Sequence, residues 1–135
     1  MISVSIILSI FIIHFIADFI FQDEIWAITK SKNFINLLKH TITYSFIWFI
    51  VGFIYACTFN TEELRSQAIL NSIYFFCITF VAHTITDYFT SKVTSYLYSK
   101  GKYGSSIPNL GFFTMIGFDQ VLHYIQLFLT YYLLK

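Results

Sequence analysis

Charged residues are scarce in this chain, since Asp, Glu, Lys and Arg together make up only 11% of its 135 residues. The formal net charge is +1, and no Arg/Lys-rich motif or RNA-binding signature occurs, so we expect no nucleic acid partner. Hydrophobic residues make up 57% of the chain, aromatic residues 21%, and the mean hydropathy is +0.70. This composition lies outside that of ordinary soluble proteins and indicates an integral membrane protein.

Motifs that identify several enzyme classes are also missing. The chain has no Gly-rich phosphate loop, no Gly-x-Ser-x-Gly nucleophile elbow and no His-Glu-x-x-His zinc motif. Its two cysteines, Cys57 and Cys77, follow no metal-binding pattern, and we expect them to be apolar core residues.

Four apolar stretches are long enough to cross a bilayer, for which about 20 residues are needed. They cover approximately residues 2–21, 34–59, 68–98 and 112–134. The first stretch lacks a basic leading region and a small-residue cleavage pattern, which favours a mature helix over a signal peptide. The prediction is an all-α, integral membrane four-helix bundle that forms a single domain, residues 1–135.

The lysines predict how the helices are oriented. The second connection offers only Arg65 beside Glu62 and Glu63, whereas lysines cluster around the first and third connections. These lysines are Lys30, Lys32, Lys92, Lys100 and Lys102. By the positive-inside rule, the first and third connections face the cytoplasm and both termini face outward. The third connection, residues 101–111 with Pro108, is predicted to be flexible and to act as a lid.

Three aspartates lie in these apolar spans, and each has a histidine four residues away. The pairs are His14 with Asp18, His83 with Asp87, and Asp119 with His123, and His40 lies in the remaining span. Because four residues are about one helical turn, both members of a pair project from the same face. Counting turns from the helix ends places all seven residues in one layer in the cytoplasmic half.

Two interpretations of this layer compete. Intramembrane Asp and His side chains can cement helix contacts through hydrogen bonds. However, each central charge costs about 2.5 to 3.5 kcal/mol on insertion scales, and a divalent cation would neutralise the carboxylates while binding neutral imidazoles. We therefore predict one or two divalent metal ions, zinc first, with manganese or iron as alternatives. The predicted ligands are His14, Asp18, His40, His83, Asp87, Asp119 and His123.

Other residues are predicted to assist the metal. One of the three aspartates, Asp18, Asp87 or Asp119, would act as general base toward water. Tyr44 and Gln120 are candidates for a supporting role. Four lysines near the mouth of the site are candidates for binding a phosphate group, although the positive-inside rule also explains their presence. They are Lys30, Lys32, Lys39 and Lys92.

The sequence also resembles a known family. The resemblance is carried by the run HFIADFIFQ, Trp26, Lys30, LLKH with Tyr44, HTITD and GFDQVLH. These residues are similar to domain of unknown function 3307, a family of uncharacterised bacterial membrane proteins, over nearly the whole chain. The pattern resembles, more distantly, bacterial membrane-bound metal-dependent hydrolases. The resemblance implies a small multi-span protein of a bacterial cytoplasmic membrane with a metal site.

Our functional hypothesis is a membrane-embedded metal-dependent hydrolase acting on a phosphoester at the inner membrane face. Its substrate would be a lipid or polyprenyl phosphate, or a nucleotide from the cytoplasm. A second hypothesis is a transporter or channel component that passes protons or metal, which the apolar outer halves of the helices disfavour. A third is a small membrane anchor or sensor with a structural metal. The aromatic-rich surfaces would suit either membrane lipid or a second copy of the chain.

Overall fold

The structure is a computed structural model that describes residues 2–103 and 110–134. Within these residues the chain is all-helical and contains no strand, as predicted. The helices are α1 (Val4–Phe15), α2 (Glu24–Thr29), α3 (Phe34–Ala56), α4 (Glu62–Ser99) and α5 (Leu110–Leu134). A π-helical turn, Ile16–Ile20, continues α1. Most of the predicted lid, residues 104–109 with Pro108, lies outside the described residues.

Three of the helices, α3, α4 and α5, are long and apolar enough to cross a membrane. The helix within the first predicted span (residues 2–21) is Val4–Ile20, which is apolar but shorter than these three. α4 has 38 residues, a length of about 57 Å at 1.5 Å per residue, which exceeds the roughly 30 Å of a bilayer core. The described residues therefore contain three long apolar helices and one shorter apolar helix that ends in the π-helical turn.

α4 contains the third predicted stretch and begins six residues before it, at Glu62. Thr61 is its N-cap residue, with extended backbone, and Glu62 and Glu63 occupy the first turn. Acidic side chains are favourable there because they face the positive end of the helix dipole. Hydropathy detects the apolar part of this helix but not its polar first turns.

Short polar side chains also begin α2 and α3. Asp23 caps α2 by accepting hydrogen bonds from the backbone of Ile25 and Trp26, at 2.8 and 3.3 Å. Asn33 caps α3 in the same way. Such caps satisfy amide groups that have no partner within their own helix. α2 packs against α3, where the Asn36 side-chain amide donates to the Thr29 hydroxyl at 2.6 Å, and this packing determines where Lys30, the residue after α2, is placed.

Apolar side chains fill the core and also make up much of the surface. α3 packs against α4, and α4 against α5. The apolar core is formed by Ile10, Ala17, Tyr44, Trp48 and Leu127. Many large apolar side chains are exposed on the outside, as expected for a surface that faces lipid rather than water.

The prediction that the two cysteines are core residues was wrong, since Cys57 and Cys77 are both exposed on this surface.

α3 and α4 approach each other closely at Gly52. A Cβ atom added there would lie 2.5 Å from Ser72 Oγ and 2.9 Å from Ser72 Cβ. Ser72 is itself held in place, because its hydroxyl donates to the Ala68 carbonyl at 2.7 Å. Small residues at such crossings allow helix backbones to come together in a membrane.

Replacing Gly52 by Ala should therefore destabilise the fold by about 1 to 3 kcal/mol, since the added methyl overpacks the crossing. Gly117→Ala is the matched control, because a Cβ atom there would meet no described atom within 4 Å. The control should be neutral or stabilising, since Ala favours helix over Gly. Thermal unfolding of both variants in one detergent measures the difference. Equal melting temperatures for the two variants would contradict this account of the crossing.

Candidate metal centre

The π-helical turn at the end of α1 carries the first residues of the site. The Phe21 amide donates to the Ile16 carbonyl at 3.0 Å, a spacing of five residues that widens this turn. Asp18 lies in the middle of the turn and is buried, and His14 precedes it by four residues and is also buried. Such turns within α-helices are frequent at functional sites.

Side chains from α1 with its π-helical turn, α3, α4 and α5 meet in the interior. Asp18 Oδ1 lies 3.2 Å from His40 Nε2 and 3.6 Å from His83 Nε2. The two Nε2 atoms of His40 and His83 are 3.1 Å apart. All three side chains are buried. Two imidazole nitrogens and a carboxylate oxygen thus point at one another in a region removed from water.

Asp87 occupies the opposite side of these histidines. Its Oδ2 lies 3.1 Å from His40 Nε2 and 3.5 Å from His83 Nε2, while its Oδ1 lies 3.5 Å from His123 Nε2. Asp87 is fully buried. Both carboxylates, Asp18 and Asp87, therefore face His40 and His83, and each also lies within 4.0 Å of His123.

Three sets of ligand atoms in this cluster lie close enough together to hold a metal ion. The sets are His14 with Asp18 and His123, Asp18 with His40 and His83, and His83 with Asp87 and His123. Because Asp18, His83 and His123 each belong to two sets, the three sets form one continuous centre. We name these six residues the His/Asp cluster.

Several atoms of the His/Asp cluster are buried without a hydrogen bond from any residue in the described part of the chain. They are Asp18 Oδ1, Asp87 Oδ1, His83 Nδ1, and both ring nitrogens of His123. Buried polar atoms are rarely left unpaired, because each such atom costs about 1 to 3 kcal/mol. A cation bound among them would satisfy the carboxylate and imidazole lone pairs together, so the residues present fit a divalent metal.

Stacked rings hold the central imidazole in place. The ring of His83 lies between those of Tyr44 and His123, with centroid distances of 3.9 and 4.1 Å and interplanar angles of 17° and 20°. Tyr44 is buried with them. This stack restricts the rotation of His83 and orients its Nε2 toward both carboxylates.

His14 is already hydrogen bonded on both sides of its ring. Its Nε2 donates to Gln120 Oε1 at 2.7 Å, and its Nδ1 lies 2.9 Å from the Tyr44 hydroxyl. With Nε2 protonated, the neutral ring accepts the Tyr44 hydroxyl hydrogen at Nδ1. His14 would bind a metal only after Gln120 turned away, so its ligand role stays a prediction.

Gln120 connects three members of the predicted site. Besides accepting from His14, its amide nitrogen donates to Asp18 Oδ2 at 3.1 Å and to Asp119 Oδ2 at 3.3 Å. One amide side chain thus orients two carboxylates and an imidazole. The supporting positions expected for Tyr44 and Gln120 are therefore in contact with the cluster.

Asp119 lies at the edge of the cluster and belongs to none of the three sets described above. Its Oδ2 is 3.7 Å from His123 Nδ1, and its Oδ1 accepts a 2.6 Å hydrogen bond from Thr90. Its side chain is 15% exposed, compared with 5% for Asp18 and 1% for Asp87. Asp119 is thus the most accessible of the three aspartates.

Lys30 reaches the cluster from outside the long helices. Its Nζ lies 2.7 Å from Asp87 Oδ2. Burial by itself would lower the pKa of Lys30, but the carboxylates of Asp87 and Asp18 outweigh it and hold the pKa above its usual value. The side chain therefore carries a positive charge.

The other lysines that were predicted to bind phosphate lie elsewhere. Lys39 lies over the Trp26 ring and Lys92 over the Tyr88 ring, while Lys32 lies in the turn between α2 and α3.

A cavity of about 790 Å³ opens beside the cluster, between α2, α4 and α5. Asp18, Lys30, Asp119 and Gln120 border its inner end, so the cavity gives access to the charged groups. Its volume is in the range of small-molecule binding sites.

The sequence profile of a family described as proteins of unknown function, DUF3307, matches residues 6–135. The chain belongs to this family. No curated protein and no solved structure matches the chain. The family description assigns no reaction, so the function of this DUF3307 member has to be argued from the site itself.

Sequence reasoning missed two contacts of this DUF3307 site. Thr90, which donates to Asp119, follows Asp87 by three residues on the same helix face, and this spacing was a usable signal. The Tyr124 ring packs against His14 at a centroid distance of 4.6 Å. Nothing in the sequence distinguishes Tyr124 from the many other aromatic residues of the chain.

We expect Asp87→Asn and His83→Ala to lower the affinity for a divalent metal at least about tenfold, because the first removes a charged ligand of one set and the second an imidazole that two sets share. Elemental analysis of protein purified in detergent measures the metal per chain. Asp23→Asn is the control, since Asn caps a helix as well as Asp and position 23 lies outside the cluster. Wild-type metal content in both site variants would contradict the assignment.

Proposed function

We propose that this protein is a membrane-embedded metal-dependent hydrolase that cleaves a phosphoester at the inner face of a bacterial cytoplasmic membrane. The observation that supports the proposal is that the Asp18 and Asp87 carboxylates both face His40 Nε2. One oxygen of each carboxylate, Oδ1, is buried without a hydrogen-bond partner among the described residues. Mixed carboxylate and imidazole ligands suit zinc first, and manganese or iron as alternatives.

The proposal includes a four-helix bundle with both termini outward and the site in the cytoplasmic half. The three long apolar helices support a membrane location. Lys30 enters the cluster from the connection after the first apolar helix, which is rich in lysine and therefore cytoplasmic by the positive-inside rule. A substrate at the level of the inner headgroups would meet the cavity from that side.

Charge balance is compatible with an anionic substrate when two metal ions are bound. With neutral imidazoles, the ionised carboxylates of Asp18, Asp87 and Asp119 and the ammonium of Lys30 leave two unpaired negative charges. One divalent ion would neutralise these two charges. A second divalent ion would leave two excess positive charges, which a phosphate dianion would neutralise. Buried charges require such compensation. The cluster thus fits either one metal ion, or two ions together with a phosphate group.

A divalent ion bound here would polarise a phosphoryl oxygen and promote ionisation of an attacking water. Lys30 borders the cavity and binds the phosphate oxygens through its ammonium group. Asp119, the most accessible aspartate, accepts a proton from water as the water oxygen bonds to phosphorus. The ester P–O bond breaks, and Asp119 returns the proton to the leaving oxygen. Asp87 does not border the cavity; it pairs with Lys30 and would be a ligand of the metal.

Transport is supported less well. The half of the bundle beyond the cluster contains more buried hydroxyls than the apolar sequence pattern indicated, among them Ser72, Thr79 and Thr130. Each donates to a carbonyl four residues earlier in its own helix, so these hydroxyls do not form a chain across the membrane. The apolar core with Ile10 and Leu127 lies among them. A small anchor or sensor with a structural metal would not need the open cavity.

Asp119→Asn should lower turnover of a soluble chromogenic phosphoester such as p-nitrophenyl phosphate by about 100-fold or more, because the general base is lost. Its metal content should stay at the wild-type level, since Asp119 is not in the central ligand sets. Steady-state kinetics and elemental analysis of the same preparations test both statements, with Asp23→Asn as the control. Undiminished turnover, or loss of the metal together with activity, would overturn the role of Asp119 as base.

A further inference from the structure

The walls of the cavity differ in chemistry from its inner end. Asp18, Lys30 and Asp119 place charged groups at the inner end, next to the His/Asp cluster. Farther out, apolar side chains from the π-helical turn, α2 and α5 line the cavity. They are Phe19, Ala27, Ile28, Phe112, Phe113, Met115 and Ile116.

One wall carries a row of hydroxyls. Thr90, Ser91, Thr94 and Ser95 line the cavity from α4, and their spacing places them on one helix face. The Ser91 hydroxyl is buried without a hydrogen-bond partner among the described residues. This row lies on α4, whereas the lining side chains that belong to the π-helical turn, α2 and the first turns of α5 are mostly apolar.

The apolar wall also reaches the outer surface of the protein. Phe19, Ile28 and Phe113 line the cavity and are exposed, so this wall is open to the surroundings of the protein. The exposed apolar side chains around them form the surface that would contact lipid. A hydrocarbon chain in the cavity would therefore pass to the bilayer without crossing a polar barrier.

We propose that the cavity binds an amphiphilic phosphoester, with its phosphate at Lys30 and the His/Asp cluster and its hydrocarbon chain along the apolar wall of the cavity. This assignment rests on the proposed function, because it names the substrate class of the same site. An acyl-chain phosphate and a polyprenyl phosphate share this chemistry. A nucleotide lacks the chain, and its base and ribose would face phenylalanine, isoleucine and methionine side chains.

Native mass spectrometry of the metal-loaded protein in detergent tests the assignment with phosphonates, which resist hydrolysis. Hexadecylphosphonate should bind at least about tenfold more tightly than methylphosphonate, because only the former buries a hydrocarbon chain. AMP should bind no better than methylphosphonate. Geranylgeranyl phosphonate, compared with hexadecylphosphonate, distinguishes a prenyl from an acyl-type chain.

Lys30→Met should weaken the binding of both alkyl phosphonates about tenfold or more, whereas Lys102→Met should not.

Two phenylalanines of α5 provide a matched pair for the chain. Phe113 lines the cavity and is 57% exposed, while Phe118 is 52% exposed and does not line it. Phe113→Ser should weaken hexadecylphosphonate about tenfold and leave methylphosphonate unchanged, and Phe118→Ser should change neither. Ile116→Ser, also in the cavity wall, gives the same test should Phe113→Ser fail to fold.

The assignment would be overturned if hexadecylphosphonate and methylphosphonate bound equally well, or if AMP bound more tightly than methylphosphonate. Equal effects of Phe113→Ser and Phe118→Ser on the binding of hexadecylphosphonate would also overturn it. Hydrolysis of p-nitrophenyl phosphate that persists alongside such a result would leave the hydrolase proposal standing. Chain-dependent phosphonate binding without hydrolysis of any phosphoester would instead refute the hydrolase and keep the amphiphile site.

Discussion

A carboxylate that is removed from water must be paired with positive charge or bound to a cation, and this constraint governs the interior of the protein. Asp18 and Asp87 are both buried, and the described part of the chain places one ammonium group, that of Lys30, against them. The remaining negative charge is surrounded by imidazoles whose nitrogens point inward. Helix packing and ring stacking keep the ligand atoms of each set within 4.8 Å of one another.

Different local features each solve part of this problem. The π-helical turn places Asp18 between His40 and His83, and Gln120 fixes its second oxygen through a hydrogen bond. The Asp23 cap begins α2, whose end delivers Lys30 to Asp87. The same arrangement leaves a cavity between α2 and α5, so the charged centre is enclosed on the side of the apolar core and open on the other. The short connection after α2 therefore supplies the lysine that pairs with Asp87 and also borders the cavity.

The sequence predicts the residues of the site better than its geometry. The four-residue spacing of His83 with Asp87, in an apolar helix, is sufficient to predict that they share a face and are buried. The direct contact of Lys30 with Asp87 was not predictable, because it depends on how α2 packs against α3. The π-helical turn at Asp18 has no known sequence signal, and it determines which groups Asp18 meets. The exposure of Cys57 and Cys77 was missed because hydropathy cannot separate a lipid-facing surface from a core.

The most direct test of the central claim is a crystal structure of the purified protein with anomalous diffraction recorded at the absorption edges of zinc, manganese and iron. The account predicts one or two anomalous peaks between the carboxylates of Asp18 and Asp87, within bonding distance of His40, His83 and His123. An ordered His/Asp cluster without any anomalous peak, in protein supplied with these metals, would show that the buried charges are compensated by hydrogen bonds and Lys30 alone. That result would contradict the metal centre and the hydrolase proposal with it.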